Sequence, residues 1–139
     1  MRLIQSKRFP LSLSNQSRYF IVVAAFLGAT AVMLGAYASH GLSSWATPAQ
    51  ITQVQIASQY QLFHAITVLI VALIGSLFPH RLISLSLWFF TLGTVCFSGS
   101  LYYFVFLGSK LLVLITPLGG LLLICAWLCL GISMLFKQK

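Results

Sequence analysis

The sequence predicts an all-α membrane protein: a bundle of four transmembrane helices with both termini on the cytoplasmic side. Three observations carry this. The chain is 60% hydrophobic and 6% charged, with neither Asp nor Glu among its 139 residues, whereas a soluble domain carries about a quarter charged residues. Four apolar runs follow one another, each able to supply the roughly 20 helical residues that cross a bilayer. The basic residues sit mainly at the borders of those runs, and unequally so.

Residues 1–18, MRLIQSKRFPLSLSNQSR, are basic and Ser-rich and are expected to form a cytoplasmic tail ahead of a single domain at 19–139. The first apolar run predicts a helix over about 19–39. Ala36-Tyr37-Ala38 fits a signal-peptidase site, but the apolar stretch before it is about 18 residues, longer than the 7–15 of a cleaved signal. A retained helix is the expectation. Ala24, Gly28, Ala31, Gly35 and Ala38 form one stripe of small residues along it. Such stripes let helix backbones approach closely where lipid supplies no hydrophobic drive between helices. The run closes in GAYASHGL, a histidine where Arg, Lys, Trp or Tyr is usual.

The second helix is expected over about 48–78. Thr47 supplies an N-cap, Pro48 the first helical residue and Gln50 the capping-box partner. Gln50, Gln53, Gln55, Gln59 and Gln61 make its first turns polar. Its length of roughly 46 Å exceeds a bilayer core, so it either protrudes or bends near residue 58. The third helix, about 82–107, ends in CFSGSLYYF, which puts Tyr102 and Tyr103 where an interfacial aromatic belt belongs. The fourth, about 116–136, opens in TPLGG, with Thr116 as N-cap and Pro117 as first helical residue. The alternative is a longer, tilted helix kinked at Pro117. Pro117, Gly119 and Gly120 are expected to pack against other helices. Trp127 falls near mid-membrane, where its indole N–H needs an acceptor. Barrel strands are excluded because these runs do not alternate apolar and polar residues.

Placing both termini inside puts Arg2, Lys7, Arg8, Arg18, Arg81, Lys137 and Lys139 inside and Lys110 alone outside, as the positive-inside rule requires. The net charge of +8 comes from missing acids rather than from a basic stripe, so no nucleic-acid partner is expected. Lack of carboxylates excludes paired-carboxylate acid–base catalysis, an Asp-based triad and a carboxylate-held Ca²⁺ or Mg²⁺ site. Cys96, Cys125 and Cys129 lie inside apolar runs and read as small packing residues.

His40 falls at the outer membrane boundary. His64 falls about 9 Å inside it, counting 1.5 Å per helical residue. With Tyr60, Ser98, Ser100, Tyr102 and Thr116 they form a candidate polar cluster in the outer leaflet. His64 reads as a neutral imidazole bonded to a carbonyl or hydroxyl of helix one, three or four; the sharper reading is a pore, proton-relay or ligand group. Two histidines without Cys or carboxylate nearby make a poor zinc set. No catalytic, cofactor or metal residue is expected.

The ordered set GAYASHGL, YQLFHA, FSGSLY and TPLGG followed by a Trp resembles the YgdD-like family, also called the transmembrane protein 256 family, a domain of unknown function. The resemblance covers about residues 19–136. Ala38 and Ser39 depart mildly from the family's Gly-Ala before the first histidine. It implies a small four-helix integral membrane protein of the bacterial inner membrane, or of a mitochondrial membrane in a eukaryote. It brings no catalytic residues; His40, Tyr60, His64, Ser100, Thr116, Pro117 and Gly119 match its motif positions. The expected function is non-enzymatic packing or interaction, with the lipid bilayer and a second copy or another membrane protein as partners. The alternative is an oligomeric transporter or channel using a polar pocket around His64. Reporter fusions at residues 50 and 139 are expected on opposite sides of the membrane; the same side for both overturns the topology.

Overall fold

The computed structural model describes residues 13–136. They form four helices, α1 (Asn15–His40), α2 (Pro48–Leu77), α3 (Arg81–Leu107) and α4 (Ile115–Leu135), with single 3-10 turns at Leu42–Ser44 and Lys110–Leu112. All four are long and apolar enough to cross a membrane, and no strand occurs among the described residues. Arg2, Lys7, Arg8, Lys137 and Lys139, which carry most of the orientation argument, lie outside the described residues.

Helix α1 begins before the apolar run, which corrects the expected tail over residues 14–18. Ser14 caps it, its Oγ accepting from Ser17 N at 3.0 Å. The first turn then binds its neighbours: Ser76 donates to Ser17 Oγ at 2.7 Å, and Ser84 donates to Gln16 Oε1 at 3.0 Å. These short polar residues tie α1 to α2 and α3 at the end where Arg18 and Arg81 sit. At the other end α1 stops at His40, with Gly41 N–H donating to Tyr37 O at 2.8 Å. Leu42 in the following turn is fully buried with Ala38, Val54 and Val105. The corner is therefore plugged by a leucine, while Ser39 and His40 are exposed.

Helix α2 opens with a complete capping box. Thr47 Oγ1 accepts from Gln50 N, and Gln50 Oε1 accepts from Thr47 N at 2.9 Å. It runs unbroken for 30 residues, roughly 45 Å at helical rise. The Pro79-His80 pair separates it from α3, whose first turn His80 caps through Nδ1 accepting from Leu82 N at 3.2 Å. Gly108 ends α3 at φ 65°, a left-handed conformation that favours glycine. Helix α4 starts at Ile115 with Leu114 as its N-cap and no side-chain cap bond. Thr116 is thus a helical residue and not the expected cap, because the chain has already turned helical before it.

The helices pack in chain order, α1 on α2, α2 on α3 and α3 on α4. The stripe of α1 faces α2: Ala24, Ala31 and Ala38 are buried, a Cβ added at Gly28 meets Ala65 Cβ at 3.9 Å, and one at Gly35 meets Ser58 Oγ at 3.2 Å. The tighter crossing lies between α3 and α4. A Cβ on Gly119 comes within 2.8 Å of Phe97 Cα and 2.9 Å of Gly93 O, and one on Gly93 within 3.1 Å of Gly119 O. Two facing glycines bring these backbones into direct contact. Gly120 lies at the edge of that crossing and Pro117 is exposed, so the expectation that Pro117 packs against a helix is corrected: a first-turn residue of α4 points away from α3. The main core is built from Phe20, Val68, Val71, Ile83, Leu87, Phe90 and Leu123. Buried share falls from 39% of the apolar window of α3 to 17% for α4, so α4 is a peripheral helix with most of its side chains left to lipid.

These contacts rank the glycines. Gly119→Ala is expected to destabilise the fold by about 1–3 kcal/mol, since backbone cannot yield to an added methyl. Gly28→Ala is expected to be neutral or slightly stabilising, because the methyl meets ordinary contact and alanine favours helix. Thermal unfolding in detergent followed by far-UV circular dichroism measures both; equal losses contradict the ranking.

Candidate functional site

His64 is the deepest ionisable side chain among the residues singled out, and only 8% of it is exposed. Its polar partner is on its own helix: Nδ1 lies 2.7 Å from Tyr60 O. This corrects the expectation of a partner on α1, α3 or α4. A carbonyl only accepts, so Nδ1 carries the hydrogen and Nε2 is the acceptor of the neutral ring. The i−4 carbonyl is the one polar group that helix geometry always holds under a side chain at this depth. Aromatic rings fill the surrounding space. Tyr60 stacks on His64 with ring centroids 6.1 Å apart, and Phe90 lies at 5.9 Å. Phe97 covers Tyr60 at 4.8 Å, and Trp127 meets Phe90 edge-on at 5.0 Å and 82°. Trp127 is half exposed and no acceptor for its indole N–H lies among the described residues, so ring packing replaces the expected hydrogen bond.

The remaining candidates separate into pairs. Ser98 Oγ donates to Ala57 O at 2.8 Å, pinning α3 to α2. Ser100 Oγ lies 2.6 Å from Thr116 Oγ1, pinning α3 to α4. Ser100 also donates to Phe97 O at 2.9 Å, so the shared hydrogen comes from Thr116. Tyr102 was expected in an interfacial belt, yet its hydroxyl is buried without a partner. His40 is exposed at the end of α1 and does not join His64. The seven residues thus form three separate polar contacts, an orphan phenol and an exposed imidazole, rather than one cluster.

Three residues outside that set matter as much. Gln61 is buried and donates through Nε2 to Leu27 O at 2.8 Å and to Thr30 Oγ1 at 2.7 Å. Thr30 passes its own hydrogen to Phe26 O and Leu27 O. The small stripe of α1 lets this amide reach a helix carbonyl. The signal was present in the sequence: Gln61 lies three residues before His64 on one helical face, and an amide at that depth needs partners. Gln53 and Lys110 share a cavity of about 310 Å³ with Ser100, Leu101, Phe104, Val113 and Thr116. No sequence signal joined Gln53 to Lys110, because they come from α2 and from the connector after α3.

The geometry makes His64 a packing element whose ring, more than its nitrogen, is held. His64→Ala is expected to destabilise by about 2–3 kcal/mol through the cavity left among the rings. His64→Phe keeps the ring and is expected to lose under about 1.5 kcal/mol, since Tyr60 O retains its backbone bond. Chemical or thermal unfolding in detergent tests this; a loss with Phe as large as with Ala shows that the nitrogen carries the role.

Comparison with known proteins agrees with this architecture. Residues 34–120 match the model of the family described as "Protein of unknown function (DUF423)". A UPF0382 membrane protein of Haemophilus influenzae is 38% identical over 120 residues, 86% of this chain and 95% of the relative. UPF0382 membrane protein SERP0230 of Staphylococcus epidermidis is 33% identical, over 85% of this chain and 96% of its own length. UPF0382 inner membrane protein YgdD of Escherichia coli K12 is 33% identical over 80% of this chain and 85% of its own length. No solved structure matches the chain. With the matched segment running from the end of α1 to the Gly119-Gly120 pair of α4, and with relatives aligned over most of both lengths, the chain belongs to the DUF423 family and is a multi-pass inner-membrane protein.

Proposed function

We propose that the protein acts by packing within the inner membrane and by binding another membrane protein or a second copy of itself, without catalysis, and that both termini face the cytoplasm. The observation that carries this reading is where the hydroxyls point. Ser86, Thr94, Thr67 and Ser133 each donate to a carbonyl three or four residues back in their own helix. Ser98 and Thr116 are spent on helix-to-helix bonds. A nucleophile needs a base within hydrogen-bond reach, and among the described residues no serine, threonine or cysteine is hydrogen-bonded to His64, whose one polar contact is the Tyr60 carbonyl.

A groove between α1 and α2 supports the interaction part. It is lined by the small residues Ala31, Gly35 and Ala36 together with Ser39, Gln55 and Gln59. Small residues flanked by amides and hydroxyls are the chemistry by which helices associate in lipid. A transport reading needs a polar pathway at His64, and aromatic rings occupy the space there; it is not adopted.

The test is capture of the intact chain from its native membrane, followed by mass measurement in nanodiscs. The expected result is a complex larger than one chain. Ala36→Leu, on the exposed groove, is expected to weaken it about tenfold, the loss of one well-packed contact of roughly 1.4 kcal/mol, with helicity unchanged. A single chain without protein partner, conducting ions in liposomes, overturns the reading.

A further inference from the structure

Between the end of α3 and the Gly93–Gly119 crossing the chain is held to the bundle at one polar point. No residue of 106–118 is buried, the longest such run among the described residues. The backbone bonds there are local: Gly108 N–H donates to Phe104 O, Leu111 N–H to Ser109 Oγ and Val113 N–H to Lys110 O. Among the described residues, a single hydrogen bond joins residues 109–118 to the helices beside them. It is the bond of 2.6 Å between Thr116 and Ser100.

Two cavities adjoin this segment. Lys110, Val113 and Thr116 line one of about 310 Å³, and Leu112 and Ile115 line another of about 330 Å³. Ser100, the residue that holds Thr116, lines both. A Cβ added at Gly99, in the second cavity, meets nothing within 4 Å. The ends of the segment are of different kinds. Gly108 turns the chain at φ 65°. The first turn of α4 has no side-chain cap bond, and its Pro117 has no N–H to lose. Gly119, seated against the backbone of Phe97 and Gly93, is the first fixed point of α4.

Moving the segment uncovers little apolar surface. Leu111 and Leu114 are already 76% and 80% exposed, and lipid is as apolar a surrounding as leucine itself. The cost falls on one neutral hydroxyl pair, whose net worth is modest. Local openings draw on units held this weakly. We propose that residues 109–118 form a strap latched by the Thr116–Ser100 bond, and that its opening between Gly108 and Gly119 gives both cavities access to the membrane boundary at this end of the bundle. Ser100 keeps its own bond to Phe97 O when the latch opens. The rest of α4 stays in place through Gly119 and through Leu123 and Ala126 in the main core. Neither the α1–α2 groove nor a partner chain enters this device.

The test is a distance measurement by pulsed electron paramagnetic resonance on the intact chain in nanodiscs. Spin labels go on Leu111→Cys in the strap and on Ile70→Cys, a half-exposed position of α2, with the three native cysteines replaced by alanine. One main distance is expected with Thr116 present. Thr116→Val keeps the shape and removes the latch, and a second distance is expected to gain about tenfold on the first. Thr116→Ser keeps the hydroxyl and is expected to restore the single distance. Thr91→Val removes a bond within α3 alone and is expected to change nothing. Cys96 lines the second cavity and reports access to it. With only Cys125→Ala and Cys129→Ala as background, its labelling by a small maleimide is expected to quicken about tenfold on Thr116→Val. An unchanged distance on Thr116→Val overturns the strap, and an equal response to Thr91→Val or to Thr116→Ser overturns the latch. A new distance without faster Cys96 labelling overturns the access. Loss of helicity by circular dichroism on Thr116→Val shows α4 leaving as a whole and also overturns the proposal.

Discussion

Inside a bilayer a polar group has no water to turn to, and nearly every feature of this fold follows from that constraint. The chain meets it without a single carboxylate, so no ion pair can be built from its side chains. Hydroxyls and amides carry the whole load. Most hydroxyls fold back on carbonyls of their own helix, which satisfies them locally and leaves helix faces free to pack. A few reach across, and those few hold the bundle in register: Gln61 to α1, Ser98 to α2, Thr116 to Ser100 and Ser76 to Ser17.

The two outer helix pairs are joined by different physics. The α1–α2 contact is a broad run of small residues reinforced by an amide that reaches a backbone carbonyl. Its glycines sit at ordinary contact or slightly closer. The α3–α4 contact is a point of backbone-to-backbone approach at Gly93 and Gly119, with the Ser100–Thr116 bond two helical turns along α3 toward its end. Without a hydrophobic drive between helices, close packing and interhelical hydrogen bonds must do this joining. A peripheral α4 is held by the glycine crossing, by Leu123 and Ala126 in the main core and by the hydroxyl pair, and the Lys110 cavity sits at its start.

The histidines show how type and depth can mislead. An imidazole below the membrane boundary suggests a relay, yet His64 is enclosed by Tyr60 and Phe90 and bound to its own helix. His80 caps α3 and stacks on Phe136 at 5.8 Å, a structural task at the opposite end. His40 ends α1 in the open. Polar groups left without partners, Gln53 Oε1 and the Tyr102 hydroxyl, are instead tyrosine and glutamine atoms that no charge or metal motif advertises.

What the sequence by itself determined is what local physics determines. Composition set the membrane class, run length set the helix number, and Thr47-Pro48-Ala49-Gln50 set the start of α2 residue for residue. Each depends only on neighbours within a turn or on the average cost of polarity in lipid. The early start of α1 was missed because Ser14 to Arg18 look polar in one dimension, and only the serines of α2 and α3 opposite them make that turn part of the fold. Of the candidate site, the residues were legible but their grouping was not. Which face each helix turns inward is decided by all helices packing together, so the Gly93–Gly119 crossing, the aromatic enclosure of His64 and the meeting of Gln53 with Lys110 exist only in the tertiary structure. Those partners lie far apart in the chain, and no spacing rule acts over that distance.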